Sequence, residues 1–192
     1  MAHIKGFAIR GLLKSVKESG GSIPAVLAVL PAAERATFDR SIVASEWYPY
    51  ASFVGLVRAI DGILGKGDLA HARELGRAAA ARDLGGTFRI ISAVASPKFL
   101  IERGHMFWGK YCDTGRLSLS ASREKFFVAR LEGFPEIDRA HCLLIEGWLE
   151  GLGHALGAVG MASRQVRCVH RGDPACEFEG SWDADRPGGW HA

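Results

Sequence analysis

The stretch Arg164-Gln-Val-Arg-Cys168-Val-His-Arg-Gly172-Asp-Pro-Ala-Cys176-Glu-Phe178-Glu-Gly-Ser-Trp182 reads as a β-hairpin reversing at Arg171-Gly172-Asp173-Pro174, a run of turn formers between two alternating segments. In such a hairpin Cys168 and Cys176 sit almost opposite each other and share strand parity with Val166 and Phe178. Both thiols then face inward, and Arg164, Arg167, Glu177 and Glu179 are left to line the outer side as cross-strand charges.

Working back along the chain, the helical period spans about Ile137 to Ala158. Cys142, Ile145, Leu149, Leu152 and Leu156 fall on one stripe, widened by Leu144 and Trp148. Gly147, Gly151, Gly153 and Gly157 lie in the same stretch. Each costs about 1 kcal/mol of helix propensity relative to alanine, so the run predicts another backbone packed closely against this helix; the alternative is a loose or broken helix. Glu146 and Glu150, one turn apart, read as a solvated face rather than an acid–base pair. Before this helix the period is two: Leu117, Leu119 and Ala121 alternate with serines, and Phe127, Ala129 and Leu131 continue after a charged turn at Arg123–Lys125.

The first half reads as helices. Phe7, Ile9, Leu12, Leu13 and Val16 make 6–18 amphipathic, and Gly20-Gly21 ends it; shorter pieces follow around 23–30 and 31–42, the second opening on Pro31. Phe53, Leu56, Val57, Ile60, Ile63 and Leu64 share one face of a helix from Pro49 to Leu64, and Asp68 caps an Ala-rich helix over 69–84. Ser96-Pro97 starts a helix running to about 112, with Leu100, Phe107 and Tyr111 aligned and Phe99, Met106 and Trp108 beside them. The fold class is α+β: a helical N-terminal half, then an antiparallel sheet built from two hairpins with a long helix between them, one face covered by helices. Residues 1–192 form a single domain, with 1–45 as a helical N-terminal extension.

Composition narrows the function. The chain is 192 residues long, 48% hydrophobic and 23% charged, which suits one globular domain. A net charge of +3 without a run of like charges argues against nucleic acid. No apolar stretch approaches the roughly 18 residues of a membrane span, and Lys5, Arg10 and Lys14 interrupt any secretory leader. The expected location is cytoplasmic, with reduced thiols. Cys142, Cys168 and Cys176, converging from a helix and two strands, are a candidate zinc site, since zinc favours thiolates in tetrahedral geometry; buried small hydrophobes are the alternative. A Cys168–Cys176 disulfide is disfavoured in a reducing compartment.

The string from Cys168 to Phe178, followed by Trp182, resembles the closing hairpin of the 4-vinyl reductase domain, a small-molecule-binding domain of bacterial aromatic-responsive regulators and of proteins linked to bacteriochlorophyll synthesis. That resemblance extends back to Cys142 over about 120 residues in weakening form. It implies a fold shared with TRAPP-complex subunits and, more remotely, with heme-NO-binding domains. Trp47-Tyr48-Pro49, the Ser96-Pro97 helix and Gly147-Trp148-Leu149 look like a myxobacterial paralogous family. In the aromatic-sensing relatives three cysteines and a glutamate bind zinc, and Cys142, Cys168 and Cys176 match those cysteines. The glutamate position is Gln165 here, a poor ligand whose parity turns it away from Cys168 in a regular strand; His170 or His141 could substitute, although each reads first as a solvated surface histidine.

Four functional readings follow. A sensory module would hold a small hydrophobic or aromatic ligand between the sheet and the helices at 97–112 and 137–158, with Phe107, Trp108, Tyr111, Phe127 and Trp148 as walls. A scaffold of TRAPP-like fold would act without ligand, and either would work through a partner. A homodimer is expected through the N-terminal helix or the small-residue stretch 147–157, which equally suit packing inside one chain. An enzyme is disfavoured, because no Gly-x-Gly-x-x-Gly follows a strand and there is no phosphate loop or nucleophile elbow. A heme held by His105 is disfavoured as well, because the Tyr-x-Ser-x-Arg clamp of the heme-NO relatives is missing.

Overall fold

The computed structural model describes residues 1–85 and 105–185, for 84–85 and 105–107 the backbone alone. The predicted helix start at Ser96-Pro97, with Phe99 and Leu100, lies outside the described residues, as do the side chains of His105, Met106 and Phe107.

The N-terminal half is helical: α1 (Gly6–Glu18), short α2 (Ile23–Ala28) and α3 (Ala32–Arg35), α4 (Tyr50–Leu64) and α5 (Ala70–Gly85). The predicted faces are the buried ones, with Ile9, Leu12 and Val16 on α1 and Phe53, Leu56, Val57 and Ile60 on α4 inside the core. Ile63 stays 44% exposed. Two short strands, β1 (His3–Lys5) and β2 (Trp47–Pro49), pair antiparallel and tie the start of α1 to the start of α4; three residues are too few for alternation to register in the sequence. Asp68 caps α5 as expected, its Oδ1 accepting the Ala70 N–H at 2.9 Å. The stronger device is Asp61 of α4, fully buried, which accepts the Leu69 and His71 N–H groups at 2.9 and 3.0 Å.

After α6 (His105–Tyr111) come β3 (Arg116–Arg123), β4 (Phe126–Glu132), α7 (Arg139–Ala155), β5 (Ala158–Val159), β6 (Ala162–Arg167), β7 (Cys176–Ser181) and β8 (Ala184–Asp185). The four-stranded sheet runs β3-β4-β7-β6, every pair antiparallel, so the two hairpins join through β4 and β7. Phe127, Ala129, Leu131, Cys176 and Phe178 are buried together on one face. The expected charge ladder occupies the other: Arg164–Glu179 at 2.8 Å, Arg130–Glu177 at 3.1 Å and Arg167–Glu177 at 3.2 Å.

The backbone that the glycines of α7 admit is α5. A Cβ on Gly147 would stand 1.8 Å from the Arg73 carbonyl oxygen, and one on Gly151 2.7 Å from that of Arg77; from the other side, one on Gly76 would stand 2.1 Å from the Leu144 oxygen. Of the two roles open to the 147–157 stretch, packing inside the chain is therefore the one seen. The apolar face of α1 is likewise spent on the core. Neither face is left free for a second copy.

One reading is corrected. Glu146 and Glu150 are not a solvated face; they are 5% and 4% exposed. Among the described residues β6 is an edge strand, and the outward N–H groups of Ser163 and Gln165 need acceptors that no further strand there supplies. Glu150 accepts from Ser163 N at 3.0 Å and Glu146 from Gln165 N at 2.7 Å. Arg73 and Arg77, reaching across from α5, neutralise the two carboxylates, with Arg77 2.7 Å from Glu150 and Arg73 3.4 Å from Glu146 and bound to Glu150 directly.

Candidate functional site

Two features can carry chemistry, and α7 supplies part of both. The first is a cavity of about 60 Å³ lined by Trp108, Tyr111, Leu117, His141, Leu144, Ile145, Trp148 and Leu149. Its aromatic walls are pinned. Trp108 donates through Nε1 to the Thr114 carbonyl at 2.9 Å, and Trp148 Nε1 donates to Asp83 Oδ2 at 2.9 Å. The Tyr111 hydroxyl donates to the same Asp83 oxygen, and its ring meets Trp148 edge-on at 6.1 Å. Burial pushes the Asp83 carboxyl above the usual range, against the pull of those two hydrogen bonds.

Trp108, Tyr111 and Trp148 thus share one cavity, as expected of walls. Phe127 does not join them. It lies on the sheet where β7 carries Gly180, whose missing Cβ makes room for its ring. The sequence suggests for His141 a solvated surface position or a substitute zinc ligand, and it is neither. It is buried and faces the aromatics: its Nδ1 is 3.0 Å from the Tyr50 hydroxyl, and its ring stacks on Trp108 at 5.9 Å and 19°. Burial holds its pKa down to about 4, so the ring is neutral at physiological pH. A larger concavity lies elsewhere, an open groove of about 1150 Å³ that includes Val29, Glu34, Val54, Arg58 and Ile63.

The second feature is the thiol cluster. The sulfurs of Cys142, Cys168 and Cys176 lie within 4.8 Å of one another, all buried, and Cys142 and Cys176 are 3.9 Å apart. Thiolates bound to zinc at about 2.3 Å stand roughly 3.8 Å from each other in tetrahedral geometry, so closing on an ion needs shifts of under about 1 Å. The Cys142 and Cys176 thiols share a hydrogen bond that favours a thiolate at Cys176 over one at Cys142, and the Val169 N–H and His170 favour it further. Cys112 stands apart, buried beside β1.

Gln165 is where simple parity fails. β6 carries a bulge between Gln165 and Arg167, and the extra residue turns both Gln165 and Cys168 inward. Its Oε1 is taken by Arg139, which leaves Nε2 buried without a full hydrogen bond and turned to Cys142, whose ionised form it favours. An amide presenting N–H is a donor to a thiolate and not a metal ligand. His170 is exposed and His141 is committed to the cavity, so neither joins the three sulfurs among the described residues.

No family profile matches the chain, and neither does any curated protein. Solved structures do. An H-NOX protein from S. oneidensis in the Fe(II) state has a TM-score of 0.75 at 15% identity, over 95% of this chain and 97% of that one. An unliganded Fe(II) H-NOX protein from K. algicida scores 0.68 at 7% identity, over 94% and 97%. The phenol-responsive sensory domain of the transcription activator PoxR, with phenol, scores 0.50 at 15% identity, over 73% and 79%. At these identities the likeness is one of fold.

A further H-NOX structure, from work on heme distortion in that family, scores 0.66 at 13% identity over 94% of this chain and 96% of that one. The expectation that disfavours heme therefore finds no support in the fold. The described residues themselves do not fit one. A space of about 60 Å³ is too small for a porphyrin macrocycle, and β3, which reads Arg116-Leu-Ser-Leu-Ser-Ala-Ser-Arg123, holds no tyrosine.

Proposed function

We propose that this chain is a cytoplasmic, non-enzymatic sensory module that binds a small apolar or aromatic molecule in the cavity between α6 and α7 and signals through a partner protein. The observation that carries this reading is the cavity itself: aromatic walls held in place by Asp83 and Thr114, with few polar groups turned inward. The fold held in common with H-NOX proteins and with a phenol-responsive domain supports it. Among the described residues no helix is long and apolar enough to cross a membrane. A homodimer remains part of the proposal, with its contact on a surface other than α1 or α7.

A thermal-shift screen with monocyclic aromatics tests the ligand. At a hundredfold excess over Kd a bound ligand adds about 2.7 kcal/mol, which for a chain of this size raises Tm by roughly 5–10 °C. A flat response across the series defeats the proposal. The second reading, a heme-binding gas sensor, is favoured by the TM-score of 0.75 to an H-NOX protein. A Soret band in protein purified from heme-replete cells establishes it, and its absence there removes it.

The thiol cluster is proposed to hold one structural zinc, joining α7 to the second hairpin through Cys142, Cys168 and Cys176. Elemental analysis of protein purified without chelator is expected to give about one zinc per chain, lost in Cys176→Ser. Well-folded, metal-free protein would leave the cluster as three packed thiols.

A further inference from the structure

We propose that His141 is the recognition donor of the cavity, its Nε2–H holding the carbonyl or similar acceptor oxygen of a small apolar ligand. This rests on reading the cavity as a ligand site and goes beyond it by stating what chemistry the ligand carries.

The buried Tyr50 hydroxyl accepts the Asp138 N–H at 3.0 Å and lies 3.0 Å from His141 Nδ1. Its single proton has no other acceptor among the described residues, so it goes to Nδ1. A neutral imidazole that accepts at Nδ1 carries its own proton on Nε2. Nε2 has no partner among the described residues, and His141 is one of the cavity's walls.

The ring cannot easily turn away. Trp108 stacks on one face, Phe53 meets it edge-on at 5.2 Å, and Tyr50 holds the opposite nitrogen. Orientation is therefore complete without Nε2, which a purely structural histidine would have had bonded as well. A fixed N–H donor in an apolar recess is a site for an acceptor, since an apolar molecule of the same shape leaves the donor unpaired. The volume of about 60 Å³ restricts the occupant to a small molecule.

The test pairs two probes of one shape, cyclopentanone and methylenecyclopentane, with side-chain ¹⁵N NMR of the labelled full-length chain. The expected result is an Nε2–H tautomer at pH 7, an Nε2–H resonance that moves with the ketone, and about fivefold tighter binding of the ketone than of the alkene. His141→Phe is expected to equalise the two, and Tyr50→Phe to mix the tautomers. An Nδ1–H tautomer, or equal affinity of the wild-type chain for both probes, overturns the inference while leaving the cavity a ligand site. Binding of neither probe overturns the cavity reading underneath it. The NMR and the wild-type affinities decide even where His141→Phe fails to fold.

Discussion

Replacing Glu150 with alanine is expected to cost about 3–5 kcal/mol of stability, read as a fall in the urea midpoint at unchanged slope. The carboxylate is 4% exposed and serves three partners, the guanidinium groups of Arg73 and Arg77 and the backbone N–H of Ser163. Removing it strands an Arg73 that is also bound to the Ser163 carbonyl at 2.6 Å, and it exposes an unpaired N–H on the sheet edge. Against a total of about 5–15 kcal/mol for a domain, such a loss is a large fraction. Glu150→Gln keeps the volume and is expected to lose less; a loss equal to that of alanine would assign the effect to charge alone.

The same group sets a pH dependence. Burial by itself would raise the Glu150 pKa, but the Arg73, Ser163 and Arg77 hydrogen bonds outweigh it and hold the carboxyl below its ordinary value. A depressed carboxyl contributes stability that is present above the unfolded pKa and lost as pH falls through the folded one. Wild-type stability is therefore expected to drop on acidification below about pH 4.5, and this part of the drop is absent in Glu150→Gln. An unchanged acid limb in that variant would contradict the assignment.

Gly147→Ala is the second large effect, about 3 kcal/mol of destabilisation measured by thermal or urea unfolding. Propensity argues the other way, since alanine is better than glycine in a helix interior by about 1 kcal/mol. Packing wins because the new Cβ would lie 1.8 Å from the Arg73 carbonyl oxygen and 2.7 Å from its carbon, which are backbone atoms that cannot swing aside. The helices must part, and the Arg73–Glu146–Glu150 network parts with them. Gly62→Ala on α4, where nothing lies within 4 Å of the added carbon, is the control and is expected to be neutral or slightly stabilising. Equal behaviour of the two variants would mean that α5 and α7 do not pack at this distance.

The hairpin of Arg164 to Trp182 and the stripe of α7 were legible because alternation and helical period are local, and a turn such as Arg171-Gly172-Asp173-Pro174 announces itself. That legibility extended to the convergence of Cys142, Cys168 and Cys176, whose inward direction follows from period alone. It failed at Gln165, where a bulge adds one residue and reverses parity. It failed at Phe127, which shares the inward face with the sheet core but not the cavity, and at His141, whose neighbour Cys142 points to a different part of the interior.

Element types, the order of helices and hairpins, and the inward side of each were thus set by the sequence, since each depends on residues a few positions apart. The burial of Glu146 and Glu150 was decided by tertiary structure. Two carboxylates one turn apart look solvated until Arg73, Arg77 and the edge of β6 are brought against them from distant parts of the chain. Desolvation and charge pairing belong to the surfaces that meet, and no periodicity within one element encodes its opposite surface.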